Sequence, residues 1–163
     1  MFKRLLVCLL LFSVSAPLMA VNSVATVNAK ISRFLSVANT SDMRFGEVSI
    51  NSLAGAVMLR SDGTREFAGG VMLNSSDSFS PAKFIIEGPL SSDYSISFPK
   101  EIVMSDGNGN TLMVDQISGE MFDAGESDSS GLMELVVGAR LNLEAYQATG
   151  NYSGSLVVEV EYR

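Results

Sequence analysis

The segment EIVMSDGNGNTLMVDQIS (101–118) decides the fold class. Two apolar segments rich in strand-forming residues flank the sequence DGNGN (106–110), which consists entirely of turn-forming residues. Glycines at this position can adopt the positive φ angles that tight hairpin turns require. We therefore predict a β-hairpin with strands over 101–104 and 111–118.

The remainder of the chain repeats this pattern of short apolar segments separated by turn formers, at intervals of roughly 8–12 residues, which is typical of all-β proteins. No stretch shows a helical period over three turns. Turns are predicted at SDGTRE (61–66), NSSDSFSP (74–81) and EGPLSSD (87–93). The other predicted strands are 25–31, 34–37, 43–50, 54–60, 70–73, 82–87, 94–98, 132–141 and 152–162. One all-β domain with the architecture of a β-sandwich is expected.

The amino terminus has the composition of a secretory signal peptide. Lys3 and Arg4 precede an apolar run over 5–14, and small residues follow in SAPLMA (15–20). The run is too short to cross a bilayer, which needs about 20 residues. We predict cleavage after Ala20, with cleavage after Ala25 as the alternative, and therefore a secreted protein.

The chain beyond residue 20 is acidic and contains no cysteine. Its 9 basic and 18 acidic residues give a net charge of −9, and the one cysteine, Cys8, lies within the predicted signal peptide. A secreted domain of this size can bury an adequate core without disulfides. The negative charge argues against nucleic acid or an anionic membrane as a partner, because both would be repelled.

The residue inventory gives little support for catalysis. The chain has no histidine and, beyond the predicted signal peptide, no cysteine, which excludes Ser-His, Cys-His and histidine-based zinc sites. Asp and Glu lie mostly in turn-rich loops or on polar strand faces, where carboxylates are ordinarily solvated. We expect neither an enzyme nor a cofactor.

The hairpin turn partly matches the pattern of a calcium-binding loop. Asp106, Asn108 and Asn110 have the alternate spacing of oxygen ligands in such loops. However, Thr111 stands where the loop requires glycine, and Ile117 stands where it requires a bidentate glutamate. A tight hairpin without bound metal is the favoured interpretation.

Two segments near the ends of the chain alternate in the manner of strands with one apolar face. In the carboxyl-terminal segment the apolar positions are Leu156, Val158, Val160 and Tyr162. In the amino-terminal segment they are Ala25, Val27, Ala29 and Ile31. Alternate side chains of a strand point to the same face, so each set can occupy a row of pockets.

Five segments together resemble a bacterial family of secreted domains of unknown function. They are DMRFGEV (42–48), REFAGGVML (65–73), FIIEGPLSSDYSISFP (84–99), GNGNTLMVDQ (107–116) and ELVVGARLNLEAYQATGNYSGSLVVEVEY (134–162). The resemblance extends over about residues 25–162. The ending is also similar to spore-coat-U-like pilins of chaperone–usher pili, which carry a Phe-Gly and a terminal Gly-x-Tyr strand.

The resemblance implies an immunoglobulin-like β-sandwich that is incomplete and is completed by a strand donated from another chain. Pilins of this type have a penultimate aromatic residue and a glycine fourteenth from the end, positions that Tyr162 and Gly150 match. Gly150, Leu156, Val158, Val160 and Tyr162 would thus form the strand-pairing site. Ala25, Val27, Ala29 and Ile31, within a donor segment over 21–32, would enter the neighbouring subunit, and residues 33–163 would form the sandwich.

The implied function is that of a structural subunit of a bacterial surface fibre. Head-to-tail donation does not close on itself and therefore produces a fibre. The implied partners are neighbouring subunits, a periplasmic chaperone and an outer-membrane usher. The alternative is a self-complete secreted or periplasmic β-sandwich that binds a ligand or carbohydrate through its loops.

Overall fold

The computed structural model describes residues 26, 28, 29, 34–74, 76–89, 93–123 and 131–162. The predicted signal peptide and both predicted cleavage sites lie outside these residues. The chain divides into Met1–Ile31 and Ser32–Arg163, and the fold is that of the second unit. Its described part contains strands and no helix, which confirms the all-β sandwich. The nine strands are β1 (Ser36–Ser41), β2 (Val48–Leu59), β3 (Arg65–Leu73), β4 (Ala82–Glu87), β5 (Tyr94–Ser97), β6 (Glu101–Ser105), β7 (Thr111–Asp123), β8 (Leu132–Leu143) and β9 (Glu159–Tyr162).

Strand β8 is the centre of the larger, seven-stranded sheet. One edge of β8 pairs with β4 along its first half and with β2 along its second half. The other edge pairs with β7. Beyond these, β1 pairs with β4, β3 with β2, and β6 with β7, always antiparallel. The buried side chains of β8 explain its central place, because its run from Leu135 to Ala139 is buried throughout.

The second sheet consists, among the described residues, of β5 and β9 alone, paired antiparallel. The interior has two clusters of buried apolar residues. The larger core cluster is Phe45, Val57, Leu59, Val71, Leu112, Val114, Ala139, Leu141 and Leu143. The smaller core cluster is Ala82, Phe84, Ile86, Leu135 and Val137. Ile96, Phe98, Leu156, Val158 and Val160 pack against the smaller cluster, so the second sheet covers this half of the sandwich.

The predicted hairpin is confirmed, with β6 and β7 joined by residues 106–110. Gly107 and Gly109 have φ angles of 78° and 99°, which side-chain-bearing residues rarely adopt. The Asp106 carboxylate accepts hydrogen bonds from the backbone N–H of Asn108 at 2.8 Å and of Asn110 at 3.1 Å. The turn is therefore set by its own glycine and aspartate residues, as the sequence predicted.

The prediction of separate strands at 43–50 and 54–60 is wrong, because residues 48–50 and 54–59 belong to one strand, β2, and residues 43–47 precede it. The pairing of β2 with β3 shifts register between Ile50 and Gly55, which is a bulge. Across from it, Gly69 has φ 74°, and a Cβ at Gly69 or Gly70 would collide with the backbone of β2. These glycines allow the close approach that keeps β2 continuous through its irregular stretch.

The ends of further predicted strands also differ: β3 begins at Arg65 where residue 70 was predicted, and β7 continues to Asp123 where residue 118 was predicted. The first regular strand is β1 at 36–41, where 34–37 was predicted, and β9 covers 159–162, where 152–162 was predicted. The carboxyl-terminal segment is held earlier by a bridge, in which Ser153 and Ser105 exchange backbone hydrogen bonds of 3.0 and 2.9 Å. Between the bridge and β9 the chain runs without regular pairing.

The Phe45-Gly46 pair is anchored by Arg65. Phe45 is buried in the larger core cluster, and Gly46 has φ 74°. The Arg65 guanidinium donates to the carbonyl oxygens of Phe45 at 2.7 Å and Asn74 at 2.8 Å, and it lies 4.1 Å from the centre of the Phe79 ring. One cation thus ties the loop between β3 and β4 to the segment before β2.

Candidate strand-acceptor groove

The carboxyl-terminal segment 154–162 presents its apolar face to the core. Leu156, Val158 and Val160 are half-buried and pack against the smaller core cluster. Val157, Glu159 and Glu161, at the intervening positions, are exposed. This alternation is the one that the sequence predicted, and it fixes which face of the segment is available to solvent.

The backbone of the same segment is paired on one edge at most. Residues 159–162 pair with residues 94–97 of β5, in the register Ile96 to Val160. Residues 154–158 make no backbone hydrogen bond to any other described residue. No described residue pairs with the edge that faces away from β5, and an edge of this kind is the template that an added strand requires.

Strand β1 shows that the sandwich is uncovered beside this edge. Val37 pairs directly with Ile86, and residues directly opposite each other on antiparallel strands lie on the same face of the sheet. Ile86 is 0% exposed in the smaller core cluster, whereas Val37 is 40% exposed. An apolar side chain on the core-facing side of β1 thus meets solvent where a closed sandwich would have an opposing strand.

The widths of the two sheets give the same result. In this half of the molecule the larger sheet has four strands, in the order β1, β4, β8 and β7. The second sheet has β5 and β9 in the described residues. Neighbouring strands are about 4.8 Å apart, so two strands cover roughly half the width of four.

The side of the opening follows from Phe98, directly after β5. A Cβ at Gly119 of β7 would lie 2.7 Å from the Phe98 ring, so the β5 end of the second sheet lies over β7. The uncovered strip therefore lies on the other side, between 154–162 and β1. We call this strip the acceptor groove. Its floor is the smaller core cluster, whose residues are at most 8% exposed, so the exposed apolar side chain of the groove is that of Val37 on its β1 wall.

Tyr162 and Tyr94 lie at one end of the acceptor groove. Their ring centroids are 5.5 Å apart with an interplanar angle of 38°. The Tyr94 hydroxyl donates a 2.7 Å hydrogen bond to the carbonyl oxygen of Pro89. Burial, and secondarily the charge of a neighbouring Tyr162, raise the pKa of Tyr94. The ring pair holds the last residues of β9 against β5.

Gly150 lies apart from the other predicted pairing residues. It is exposed in the loop before the segment, and a Cβ there would lie 3.3 Å from the Cβ of Asp106 in the hairpin turn. Its neighbour Gly154 is the constrained one, because a Cβ there would lie within 3.1 Å of the Ile102 and Met104 side chains. The prediction from chain spacing therefore selected Gly150, whose nearest side chain is that of Asp106 in the hairpin turn.

Of the predicted donor residues, Ala25, Val27 and Ile31 lie outside the described residues, and Ala29 is exposed. The prediction of a donor segment therefore stays a prediction. Sequence reasoning missed Val37 as a residue of the groove wall. The one available signal was Val37 as the larger apolar side chain in the polar strand SVANTS (36–41).

Several carboxylates of the described residues, among them Glu66, Asp106 and Asp115, are engaged in local pairs. The described residues hold no group of three or more acidic side chains placed to bind a metal ion. The Asp106 carboxylate accepts a 2.6 Å hydrogen bond from the Asn110 side chain. This bond and those from backbone N–H groups lower the pKa of Asp106. That carboxylate is occupied by its own turn.

A cleft of about 530 Å³ lies between the β2–β3 turn and the bulge in β7. Its polar lining is Arg60, Ser61, Asp62, Gln116, Ser118 and Glu120. Arg60 is paired with Glu66 at 2.9 Å, and Asp62 accepts hydrogen bonds from Thr64 at 2.7 and 2.8 Å. Two of the three charged groups are therefore already partnered within the turn.

No helix in the described part of the chain has the length and hydropathy needed to span a bilayer. The fold is that of an immunoglobulin-like, all-β sandwich whose second sheet has two strands among the described residues. Within that class, the chain belongs to the family described as a domain of unknown function, DUF4402, whose model matches residues 35–162. No curated protein and no solved structure matches the chain.

Proposed function

We propose that the protein is a structural subunit of a bacterial surface fibre and that it assembles by β-strand complementation. The observation that carries the proposal is the acceptor groove, where the exposed Val37 and the edge of 154–162 with which no described residue pairs lie beside the smaller core cluster. A strand in this groove would pair with the free edge and cover the core at the same time.

The proposed occupant is the segment 21–32 of a neighbouring subunit. Its alternation of Ala25, Val27, Ala29 and Ile31 matches the alternation of Leu156, Val158 and Val160 across the groove. Complete burial of a Val or Ile side chain contributes about 1.5–3 kcal/mol. The resemblance of the ending to chaperone–usher pilins supports the same mechanism. A periplasmic chaperone would fill the groove before assembly, and an outer-membrane usher would exchange it for the neighbour.

The proposed role requires export, and the signal-peptide composition of residues 1–20 supports it. The absence of histidine and the single cysteine at position 8 support a binding role without chemistry. The 530 Å³ cleft is the feature that a self-complete ligand-binding module would use. We favour the fibre subunit, because two of the charged groups of the cleft are already paired.

The test compares the protein from Val21 to Arg163 with the same protein carrying a second copy of 21–32 after Arg163 on a flexible linker. The fusion should be monomeric and more stable by several kcal/mol, because the added strand fills its own groove. The matched control carries Val27→Asp and Ile31→Asp in the added copy, and it should behave like the protein without the addition. Equal urea midpoints for all three proteins would overturn the proposal and favour the self-complete module.

A further inference from the structure

The two ends of the sandwich each carry exposed aromatic or apolar side chains outside the groove. At the first end, the start of β1, the end of β4 and the start of β8 lie side by side. Ser36 pairs with Glu87, and Glu87 pairs with Leu132. We call this end the Phe34 pole, because Phe34, 93% exposed, directly precedes β1 here. Tyr94 and Tyr162 lie at the same end, since Tyr94 bonds to Pro89 just after β4.

The opposite end follows the last residue of β8 and is called the Tyr146 pole. Tyr146 is 79% exposed and Leu53, in the bulge of β2, is 64% exposed. The Tyr146 N–H donates a 3.2 Å hydrogen bond to the carbonyl oxygen of Asn51. This bond holds the exposed side chains of Tyr146 and Leu53 at one site. Strand β8 has 12 residues, so the poles are separated by about 40 Å at roughly 3.4 Å per residue.

The turn at the Tyr146 pole, closed by a 3.2 Å hydrogen bond from the Gln147 N–H to the Glu144 carbonyl oxygen, has a strained backbone. Tyr146 has φ 57°, a left-handed conformation that costs a residue with a side chain about 1 kcal/mol or more. Its ring lies in solvent, so the strain does not bury an apolar group within the subunit. Rigid, exposed tyrosine is a side chain that protein contacts favour.

The direction of the acceptor groove connects the two poles. The segment 154–162 starts at the bridge between Ser153 and Ser105. Ser105 pairs with Thr111, whose carbonyl oxygen accepts a hydrogen bond from the Gln147 side chain, so this start lies at the Tyr146 pole. The segment ends at the Phe34 pole, where Tyr162 pairs with Tyr94. All strand pairs of the described structure are antiparallel. An antiparallel donor would therefore enter at the Phe34 pole and leave the groove at the Tyr146 pole.

We infer that a second copy of this chain docks its Phe34 pole on the Tyr146 pole, with Phe34 against Tyr146 and Leu53. The inference rests on the proposed function and extends it from the donor strand to the contact between the folded domains. The donor segment ends at residue 32, two positions before Phe34, and each residue reaches at most about 3.6 Å. The donor strand thus delivers Phe34 to the exit of the groove.

Cysteine cross-linking of the mature protein tests both levels, since the chain beyond residue 20 has no cysteine of its own. One mixture pairs a Val27→Cys protein with a Val158→Cys protein and reports strand insertion. A second mixture pairs Phe34→Cys with Tyr146→Cys and reports the contact between poles. A matched control pairs Phe34→Cys with Phe67→Cys, because Phe67 is also exposed, at 58%, but lies on the edge strand β3.

We expect the mixture of Phe34→Cys and Tyr146→Cys to give at least tenfold more disulfide-linked dimer than the Phe67 control. Insertion cross-links without that enrichment would overturn the contact between poles and leave the fibre subunit intact. Enrichment of Phe34→Cys with Tyr162→Cys instead would show a parallel donor and overturn the inference likewise. Absence of both kinds of cross-link would overturn the fibre subunit itself.

Discussion

Tyr152 donates its hydroxyl to the carbonyl oxygen of Ala148, four residues upstream, at 2.7 Å. The Tyr152 hydroxyl oxygen in turn accepts a 3.2 Å hydrogen bond from the Gln147 side-chain amide. A tyrosine near the start of a late strand that bonds back to the preceding corner is a hallmark of immunoglobulin-like sandwiches. Here it fixes the loop that leads into the carboxyl-terminal segment, and so it sets where one wall of the acceptor groove begins.

Replacement of Tyr152 by Phe should lower the free energy of unfolding by about 1–2 kcal/mol. The change removes the hydroxyl that satisfies the Ala148 carbonyl while it keeps the ring, which packs against the larger core cluster. Urea titration followed by circular dichroism measures the change. The matched control is Tyr146→Phe, whose ring is 79% exposed and whose stability should be unchanged. Equal effects of the two substitutions would contradict the assigned role.

Stability should fall as the pH is lowered through the acid range, and Asp115 should contribute to that fall. Arg140 donates to both Asp115 oxygens, at 2.9 and 2.8 Å, and this contact lowers the pKa of Asp115. A carboxyl with a lowered pKa in the folded state stabilises the protein above its unfolded pKa and loses that contribution as it is protonated.

Unfolding measured between pH 7 and pH 2.5 checks the role of Asp115. The Asp115→Asn protein should lose less stability over this interval than the unmodified protein does. The difference should be under about 1 kcal/mol, because both side chains are partly exposed. Identical pH profiles would show that the ion pair does not contribute.

Substitution of Gly138 by Ala should be strongly destabilising. A Cβ at this position would collide with the carbonyl oxygen of Leu59 and lie within 3.0 Å of the Arg60 backbone, where β2 leaves β8. Backbone cannot yield as a flexible side chain can, so we expect a loss of about 2–3 kcal/mol. Thermal unfolding measures it.

The control for that substitution is Gly150→Ala. Gly150 was predicted to be a strand-pairing residue, yet a Cβ there would meet nothing nearer than 3.3 Å, and its φ angle is not in the left-handed region. The stability of the Gly150→Ala protein should change by less than about 0.5 kcal/mol. A large loss at Gly150 would show that this glycine has a role beyond the contacts described.

Calcium and chelators should leave the hairpin turn unaffected. Both oxygens of Asp106 already accept hydrogen bonds from residues of the turn, and these bonds lower its pKa. The melting temperature should therefore be the same in calcium and in chelator. The Asp106→Ala protein should melt lower, because the turn loses its internal acceptor. A rise of the melting temperature in calcium that is lost in Asp106→Ala would contradict this prediction.

The parts of the fold that sequence predicted are those fixed by local chemistry. The hairpin at 101–118 was predicted because glycines and an aspartate define the turn by themselves. The apolar face of 154–162 was predicted because alternation needs no partner to be visible. The continuity of β2 was missed, since it depends on Gly69 and Gly70 on another strand.

The sequence predicted only one wall of the acceptor groove, the apolar face of 154–162. Exposure of Val37 depends on the number of strands in the opposite sheet, and no pattern within SVANTS reports that number. The prediction for Gly150 rested on its distance from the end of the chain. Its surroundings, however, are set by the hairpin turn around Asp106. Contacts between distant segments therefore account for both differences.

The bulge between β2 and β3 has a consequence for the outer edge of β3, where the larger sheet ends. Bulges and charged residues discourage edge-to-edge pairing, and this strand has Gly69 in a left-handed conformation and begins with Arg65 and Glu66. Lateral growth into broad, amyloid-like ribbons is thereby disfavoured at this border. In the proposed fibre, a protected border at β3 and a receptive groove beside 154–162 give the subunit a defined valence for strand addition, which favours thin linear filaments over laminated aggregates.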